Sequence, residues 1–435
     1  MVELGSPYQG YLYAYPHKTA YRPLQPRPRL ADVWAGEPTG ALFLYVHVPY
    51  CEMRCGFCNL FTRANPPAEQ VSAYLAQLRR QARRVAGALP DARYARAAIG
   101  GGTPTYLTGG ELTELFDLLE SATGADLRAV PMSVETSPAT ATADRLAVLL
   151  ERGATRISMG VQSFIDAEAH AAGRPQHRAE VDRALETIRA AGPADLNLDL
   201  IYGIPGQTVA TWEHSLTTAL RWSPEELYLY PLYVRPMTGL GRRAAGEPDP
   251  AWDAQRLTLY RHAVARLADA GYEQLSMRAF RRRGAPSPAS PAYCCQDDGM
   301  VGLGCGARSY TSALHYSFDY AVSIRQVRGI LEDYLARPAG DFDVAEVGFA
   351  LDATEQRRRW LLKSLLRADG VAPADYLARF GTTVDADFPA LGELRAAGYA
   401  DGHRLTADGL AHSDAIGPWL VSTDVRAAMA GHVPR

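Results

Sequence analysis

The sequence predicts an α/β protein: a partial, TIM-like (β/α)6 barrel with an N-terminal arm before it and a small C-terminal helical, winged-helix-like domain after it. Three observations predict this. Six apolar, strand-like runs separated by helical segments begin at residue 41; a Tyr- and Pro-rich stretch precedes them; from about residue 346 the chain shifts to short helices with a Gly-punctuated end. A chain of 435 residues can bury a large core and is long enough for two or three domains. We divide it into an arm (1–40), a barrel (41–245), a barrel extension with substrate-site loops (246–345) and a C-terminal domain (346–435).

The arm carries Tyr8, Tyr11, Tyr13, Tyr15, Pro16, Tyr21, Pro23, Pro26 and Pro28. Proline at this density opposes regular elements, and the aromatic content predicts an extended segment lying on the protein rather than a solvated tail. The predicted strands are Phe43–Val48, Ala95–Gly100, Met132–Thr136, Arg156–Val161, Leu196–Tyr202 and Leu227–Tyr233. The helices between them are Ala68–Leu89, Glu111–Ser121, Ala141–Glu151, Ala179–Ala191 and Thr208–Leu220. Continuous apolar strands alternating with helices indicate a covered parallel sheet, and six units suit an open barrel better than a closed eight-unit one. Catalytic groups are then expected at the strand C-terminal ends. Beyond the barrel we read a helix over 251–270, a strand at Tyr272–Met277, and a solvated loop over Arg281–Pro291 that is basic at its start. Helices at Thr354–Leu366 and Ala374–Phe380 open the last domain.

Composition excludes several classes. Hydrophobic residues make up 47% and charged residues 21%, and 45 basic against 48 acidic residues leave a net charge of −3. That balance offers nothing to nucleic acid or an anionic membrane. No basic-then-apolar leader is visible in Met1–Gly10, and Ala41–Val48 is too short to span a bilayer. A cytoplasmic location is the expectation.

Of six cysteines, Cys51, Cys55 and Cys58 form a C-x3-C-x2-C run directly after the first strand, while Cys294, Cys295 and Cys305 lie far downstream. A secreted disulfide framework would be denser and in a smaller chain. Three thiolates in one loop suit three corners of a [4Fe–4S] cubane and leave the fourth iron open. A structural zinc would want a fourth protein ligand, and none stands nearby; His47 is expected to be buried and satisfied on its strand. The open iron points to S-adenosylmethionine (SAM), chelated through its amino and carboxylate groups. One electron from the cluster then cleaves the C5′–S bond, and the 5′-deoxyadenosyl radical takes a hydrogen atom from substrate. Gly100-Gly101-Gly102-Thr103-Pro104-Thr105 follows the second strand, where consecutive glycines let backbone approach a ligand.

With these motifs the chain resembles the radical SAM family of oxygen-independent coproporphyrinogen III oxidases, which also holds haem chaperones and methyltransferases (the HemN/HemW-like proteins). The resemblance rests on YVHVPYCEMRCGFC (45–58), GGGTPT (100–105), SVETSP (133–138), SMGVQSF (158–164), NLDLIYGIPGQT (197–208) and GLGCGARS (302–309), with the arm's YAYPHKTAYRP and RFGTTV (379–384) in weaker support. It implies that Gly102, Thr103, Gln162, Arg174 and Asp199 hold the cluster-bound SAM. Arg174 would meet its carboxylate, Asp199 and Gln162 the ribose hydroxyls, and Phe57 and Tyr233 would flank the adenine. Tyr45, Gly101 and Glu135 match residues around a second SAM, and Glu135 is also counted with the catalytic groups. The resemblance further implies a small-molecule substrate and an electron donor such as flavodoxin or ferredoxin.

Three positions depart from the family pattern. An apolar residue of the second SAM site is replaced by Arg308, which implies either a different ligand, such as an acidic substrate group, or a buried ion pair. The haem chaperones' His-Asn-x-x-Tyr-Trp run is replaced by Ser290-Pro-Ala-Tyr293-Cys294-Cys295-Gln296-Asp297-Asp298, so the haem-ligating His is missing. Cys295 or Cys294 in its place would quench a substrate radical or attach an intermediate, unless both are inert buried thiols. Three readings follow: a radical SAM enzyme with a second SAM as methyl donor, oxidative decarboxylation of a coproporphyrinogen-like tetrapyrrole, or a haem carrier.

Overall fold

The computed structural model describes residues 3–242, 249–286 and 294–433. Six parallel strands, β1 (Leu42–Val48), β2 (Tyr94–Gly101), β3 (Met132–Thr136), β4 (Arg156–Gln162), β5 (Asp195–Tyr202) and β6 (Glu226–Pro231), pair in chain order. Between them run α1 (Ala68–Ala88), α2 (Gly109–Thr123), α3 (Ala143–Glu151), α4 (Arg178–Ala191) and α5 (Val209–Arg221). This is the partial barrel the alternation predicted. The helices start where the chain offers caps: Thr108 and Glu111 form a capping box on α2, and Gly124 ends it in the left-handed conformation.

The strands are less uniformly apolar than the sequence reading held. Leu44, Val46, Ile99, Val134, Ile157, Met159, Leu198 and Leu229 are buried in the main core. Alternate positions such as Tyr45, Asp199 and Tyr228 stay half-buried, and Glu135 exposed, although protein surrounds them. They line an open lumen, so the strands follow a period of two with a polar inner face.

After α6 (Pro250–Asp269) the sheet continues at both edges. On one side β7 (Tyr272–Gln274) and β8 (Ala279–Arg282) form a hairpin on β6. The expected strand over Tyr272–Met277 therefore ends at Gln274. Arg281 and Arg282, expected in a solvated loop, lie in β8. Arg281 pairs with Asp195 at 3.0 Å and Glu226 at 2.5 Å, and Arg282 with Glu225 at 2.8 Å. Acids at the strand starts recruit the basic run, which local sequence could not reveal; residues 287–291 of the loop lie outside the described residues. On the other side β9 (Met300–Leu303), from the late Gly-rich segment, is a parallel partner of β1. The antiparallel strands β10 (Arg308–Tyr310), β11 (Leu314–Ser317) and β12 (Val347–Ala350) follow, and Arg22–Pro23 of the arm pairs with β12.

A second core joins Leu361, Leu365, Leu391 and Ile416 of the C-terminal helices to Leu4, Leu12 and Tyr15 of the arm. The arm is thus clamped between the C-terminal helices and the sheet. Among the described residues no helix is long and apolar enough to cross a membrane.

Candidate active site at the mouth of the barrel

The three-cysteine loop leaves β1 at the C-terminal rim and is tied to two neighbouring loops. The Gly56 amide donates to Gly173 O at 3.0 Å, and the Leu240 amide donates to Gly56 O at 2.7 Å. A Cβ on Gly173 would stand 2.6 Å from the Gly56 Cα, so this crossing needs glycine. Two of the three half-buried thiols have polar company from other strand ends. Thr103 Oγ1 donates to Cys51 Sγ at 3.5 Å, and Arg174 Nη1 donates to Cys55 Sγ at 3.4 Å. Cys58 Sγ stands 3.8 Å from Thr62 Oγ1.

Burial pushes the Cys51 and Cys55 thiols up. A cation is what would turn such buried thiols into thiolates, and iron supplies it. Among the described residues no three or more His, Cys, Asp or Glu side chains converge on a single ion. Thiols that each take a separate corner of a cubane need not converge. The donor set therefore fits a cluster with one open iron.

Below the rim lies an acidic lumen. Glu135 accepts the Gly101 amide at 3.0 Å; burial, with Asp199 nearby, pushes its carboxyl up to about 7. Asp199 accepts from Asn197 Nδ2 at 2.8 Å and is pushed up to about 6 by burial. Asn197 Oδ1 has no hydrogen-bond partner among the described residues. Gln162, where β4 is irregular against β5, is held at φ 68°, a strained value for glutamine of the kind found at functional sites. Its amide folds back over Gly160.

The glycine triplet has a structural explanation that the sequence reading lacked. A Cβ on Gly100 would stand 2.8 Å from the Glu135 carboxyl, one on Gly101 2.3 Å from the His47 ring, and one on Gly102 2.5 Å from Tyr50 O. The amides of Gly101 and Gly102 are already given to Glu135 and Val48 O. Room for the Glu135 and His47 side chains and for the backbone of Val48 and Tyr50, rather than for a ligand alone, demands these glycines. His47 is buried and satisfied as expected: Nε2 donates to Phe61 O at 2.9 Å, leaving Nδ1 to accept from the Tyr45 hydroxyl at 3.2 Å.

The remaining candidates divide. Phe57 packs with Ile201, Leu232 and Tyr230 beside the cysteine loop. Tyr233, two residues beyond the end of β6, is elsewhere: its hydroxyl is bonded to Asp414 and its ring is faced by Arg235 at 4.4 Å. Tyr45 and Cys295 share a small cluster with Tyr13, Met300 and Tyr310. Cys294 donates its amide to Asp298 at 2.8 Å; burial pushes its thiol to about 12 and also raises that of Cys295. Neutral thiols are poor nucleophiles, which counts against covalent attachment and leaves hydrogen-atom donation open. Cys305 is core packing. Arg308 makes no salt bridge among the described residues, against the ion-pair alternative; its Nη1 donates to the Tyr13 hydroxyl at 2.6 Å.

A radical SAM superfamily signature covers residues 45–219. The oxygen-independent coproporphyrinogen III oxidase of Cereibacter sphaeroides is 30% identical over 365 residues, 78% of this chain and 76% of that protein. The chain belongs to the HemN/HemW-like family of radical SAM proteins. The heme chaperone HemW of Bacillus subtilis is 27% identical over 356 residues, 80% of this chain and 89% of that one. In fold, the HemN coproporphyrinogen III oxidase of Escherichia coli superposes with a TM-score of 0.77 at 24% identity, covering 94% of this chain and 96% of that one. A [4Fe–4S] cluster and SAM are accordingly this protein's cofactors.

Sequence reasoning missed Lys18, Tyr13 and Tyr320 around this site. Lys18 and Tyr13 lie inside the arm motif that carried the resemblance, but nothing in their local spacing says that they face the barrel.

Proposed function

We propose that this protein is a radical SAM enzyme acting on a small molecule, with one SAM as radical source and a second SAM as methyl donor. The observation that carries it is that polar side chains from outside the cysteine loop reach its thiols, Thr103 donating to Cys51 Sγ and Arg174 to Cys55 Sγ. The second SAM is supported by Glu135 accepting the Gly101 amide and by Tyr45 feeling the charges of both Glu135 and Arg308.

When bound, the cluster supplies the electron that splits SAM. The chain's own residues bind, orient and shield. Cys51, Cys55 and Cys58 would hold the cluster; Arg174 would meet the SAM carboxylate, Asp199 and Gln162 would accept from the ribose hydroxyls, and Phe57 would flank the adenine. Tyr233, held by Asp414, would need to turn to share that role. Cys295 offers a neutral thiol as hydrogen-atom source on the arm side. The electron comes from a carrier such as flavodoxin or ferredoxin.

A second reading, oxidative decarboxylation of a coproporphyrinogen-like tetrapyrrole, draws on the likeness to the Cereibacter oxidase. A haem-carrier reading lacks the His-Asn-x-x-Tyr-Trp run; Ser290–Tyr293, where it would begin, lie outside the described residues. The test is anaerobic: reconstitute the cluster, add SAM and dithionite, and quantify products by mass spectrometry. We expect 5′-deoxyadenosine from the wild type and none from Cys58→Ala. S-adenosylhomocysteine beside it supports methyl transfer, its absence with loss of CO2 supports decarboxylation, and a Soret shift on haem titration without either product supports the carrier.

A further inference from the structure

The arm brings a second cation to Arg308. This chain has two lysines, Lys18 and Lys363, among its 45 basic residues, so lysine is not its surface filler. Both reach the same interior region: Lys363 Nζ donates to Tyr13 O at 2.9 Å, and Arg308 donates to the hydroxyl of the same tyrosine. Lys18 is half-buried, and its Nζ rests 3.3 Å from the centre of the Tyr320 ring with no acceptor among the described residues. Lys18, Tyr21, Arg308, Asp319, Tyr320 and His432 line one cavity of about 50 Å³, enough for a carboxylate group.

Two half-buried cations side by side are costly. Each loses hydration, and each repels the other. The charges that act on Lys18 are those of Arg308, which repels it, and Cys58. Asp319, in the same lining, accepts the Tyr320 amide at 2.9 Å. Phenol rings soften the cost for both cations, through Tyr320 beneath Lys18 and Tyr13 against Arg308 at 5.0 Å. Rings supply no counter-charge, and among the described residues neither Lys18 nor Arg308 makes a salt bridge with an acid.

The cavity also borders the cluster loop. The Tyr320 hydroxyl donates to Asn59 O, next to Cys58, and Arg54, between two of the cluster cysteines, donates to Val322 O. An anion held here is held beside the reacting centre.

We propose that Lys18 and Arg308 form a carboxylate-binding site on the arm side of the cluster loop, occupied by the carboxylate of either a second SAM or an acidic substrate. This rests on the radical SAM reading above. Arginine provides the planar, two-pronged donor and lysine the point charge, a pairing suited to one carboxylate.

The test uses the anaerobically reconstituted holoprotein without reductant. Bound SAM is counted by equilibrium dialysis, binding at the cluster is read separately from the EPR change, and melting temperature is measured in sodium propionate against sodium chloride of equal ionic strength. The variants are Lys18→Met, Arg308→Leu and the conservative Arg308→Lys. If the wild type binds two SAM, we expect the second to weaken by about tenfold or more in Lys18→Met and Arg308→Leu and to recover partly in Arg308→Lys, with cluster-bound SAM unchanged. If it binds one, we expect propionate to raise the melting temperature of the wild type but not of those two variants; this identifies the substrate acid as source. One SAM with no propionate effect, or either effect unaltered in both variants, overturns the site. Absence of cluster-bound SAM in the wild type would instead overturn the radical SAM reading.

Discussion

Two groups of half-buried basic side chains sit at opposite ends of this barrel and differ in what meets them. At the bottom, where β4, β5 and β6 begin, Arg156 and Arg281 share Glu226 at 2.7 and 2.5 Å, and Arg281 also reaches Asp195 at 3.0 Å. Every charge there has an opposite neighbour. On the arm side, beside the cluster loop, Arg308 and Lys18 meet aromatic rings and one another. The same side chain therefore does two jobs. Paired carboxylates make the bottom cluster a structural tie, while Arg308 and Lys18, which make no salt bridge among the described residues, leave a site that a ligand completes. This follows the division of labour expected of barrels, stability at the strand N-terminal ends and chemistry at the C-terminal ends.

The strongest way to break that comparison is to remove one arginine from each group. Arg281→Met leaves Asp195 and Glu226 buried with their charge partly uncompensated, and we expect a loss of about 3–5 kcal/mol in denaturant unfolding. Arg308→Leu removes a cation that makes no salt bridge among the described residues, so its stability should stay within about 1 kcal/mol of the wild type. Equal losses in the two variants would show that Arg308 is a structural tie as well.

Next in size is Gly101→Ala at the upper rim. Its φ of 108° disfavours any side chain, and the new Cβ would run into the His47 ring. We expect a cost of about 2–4 kcal/mol and impaired cluster loading, read by melting temperature and iron content.

The lumen acids sharpen the comparison through pH. Burial raises the Glu135 carboxyl from 4.5 to about 7, so the folded state binds its proton more tightly than the unfolded state does. The stability this contributes is fully present below pH 4.5 and is lost as pH rises through about 7. Asp199 acts in the same sense between 3.8 and about 6. Glu135→Gln should therefore flatten the fall in melting temperature between pH 5 and 7. Arg281→Met should leave Glu135's share of that fall in place.

The smallest effect belongs to Thr103→Val. It removes the 3.5 Å hydrogen bond to Cys51 Sγ and should cost no more than about 1 kcal/mol, with full cluster loading. Losing a donor to a cluster thiolate should lower the reduction potential, checked by a redox titration followed by EPR.

How much of this was legible in the sequence depends on how far apart the cooperating residues lie. Cys51, Cys55 and Cys58 lie in one loop, and their grouping follows from the covalent chain. The barrel was legible too, because strand and helix periodicities are local and β1 to β6 pair in the order of the sequence. The polar inner face was misread as continuous apolar strand, since Glu135 and Asp199 sit among Val and Leu neighbours whose burial dominates the pattern.

Only the tertiary structure placed β8 on β6, which turned Arg281 and Arg282 from a basic loop into paired strand residues. It likewise set β9 beside β1 and tied the arm to β12 and the C-terminal helices, and these pairings carry Arg308 and Lys18 into one cavity. The physical reason is the same in each case. A short spacing is set by bond geometry, whereas a contact between distant segments depends on sheet register and shared cores, which form only when the whole chain packs.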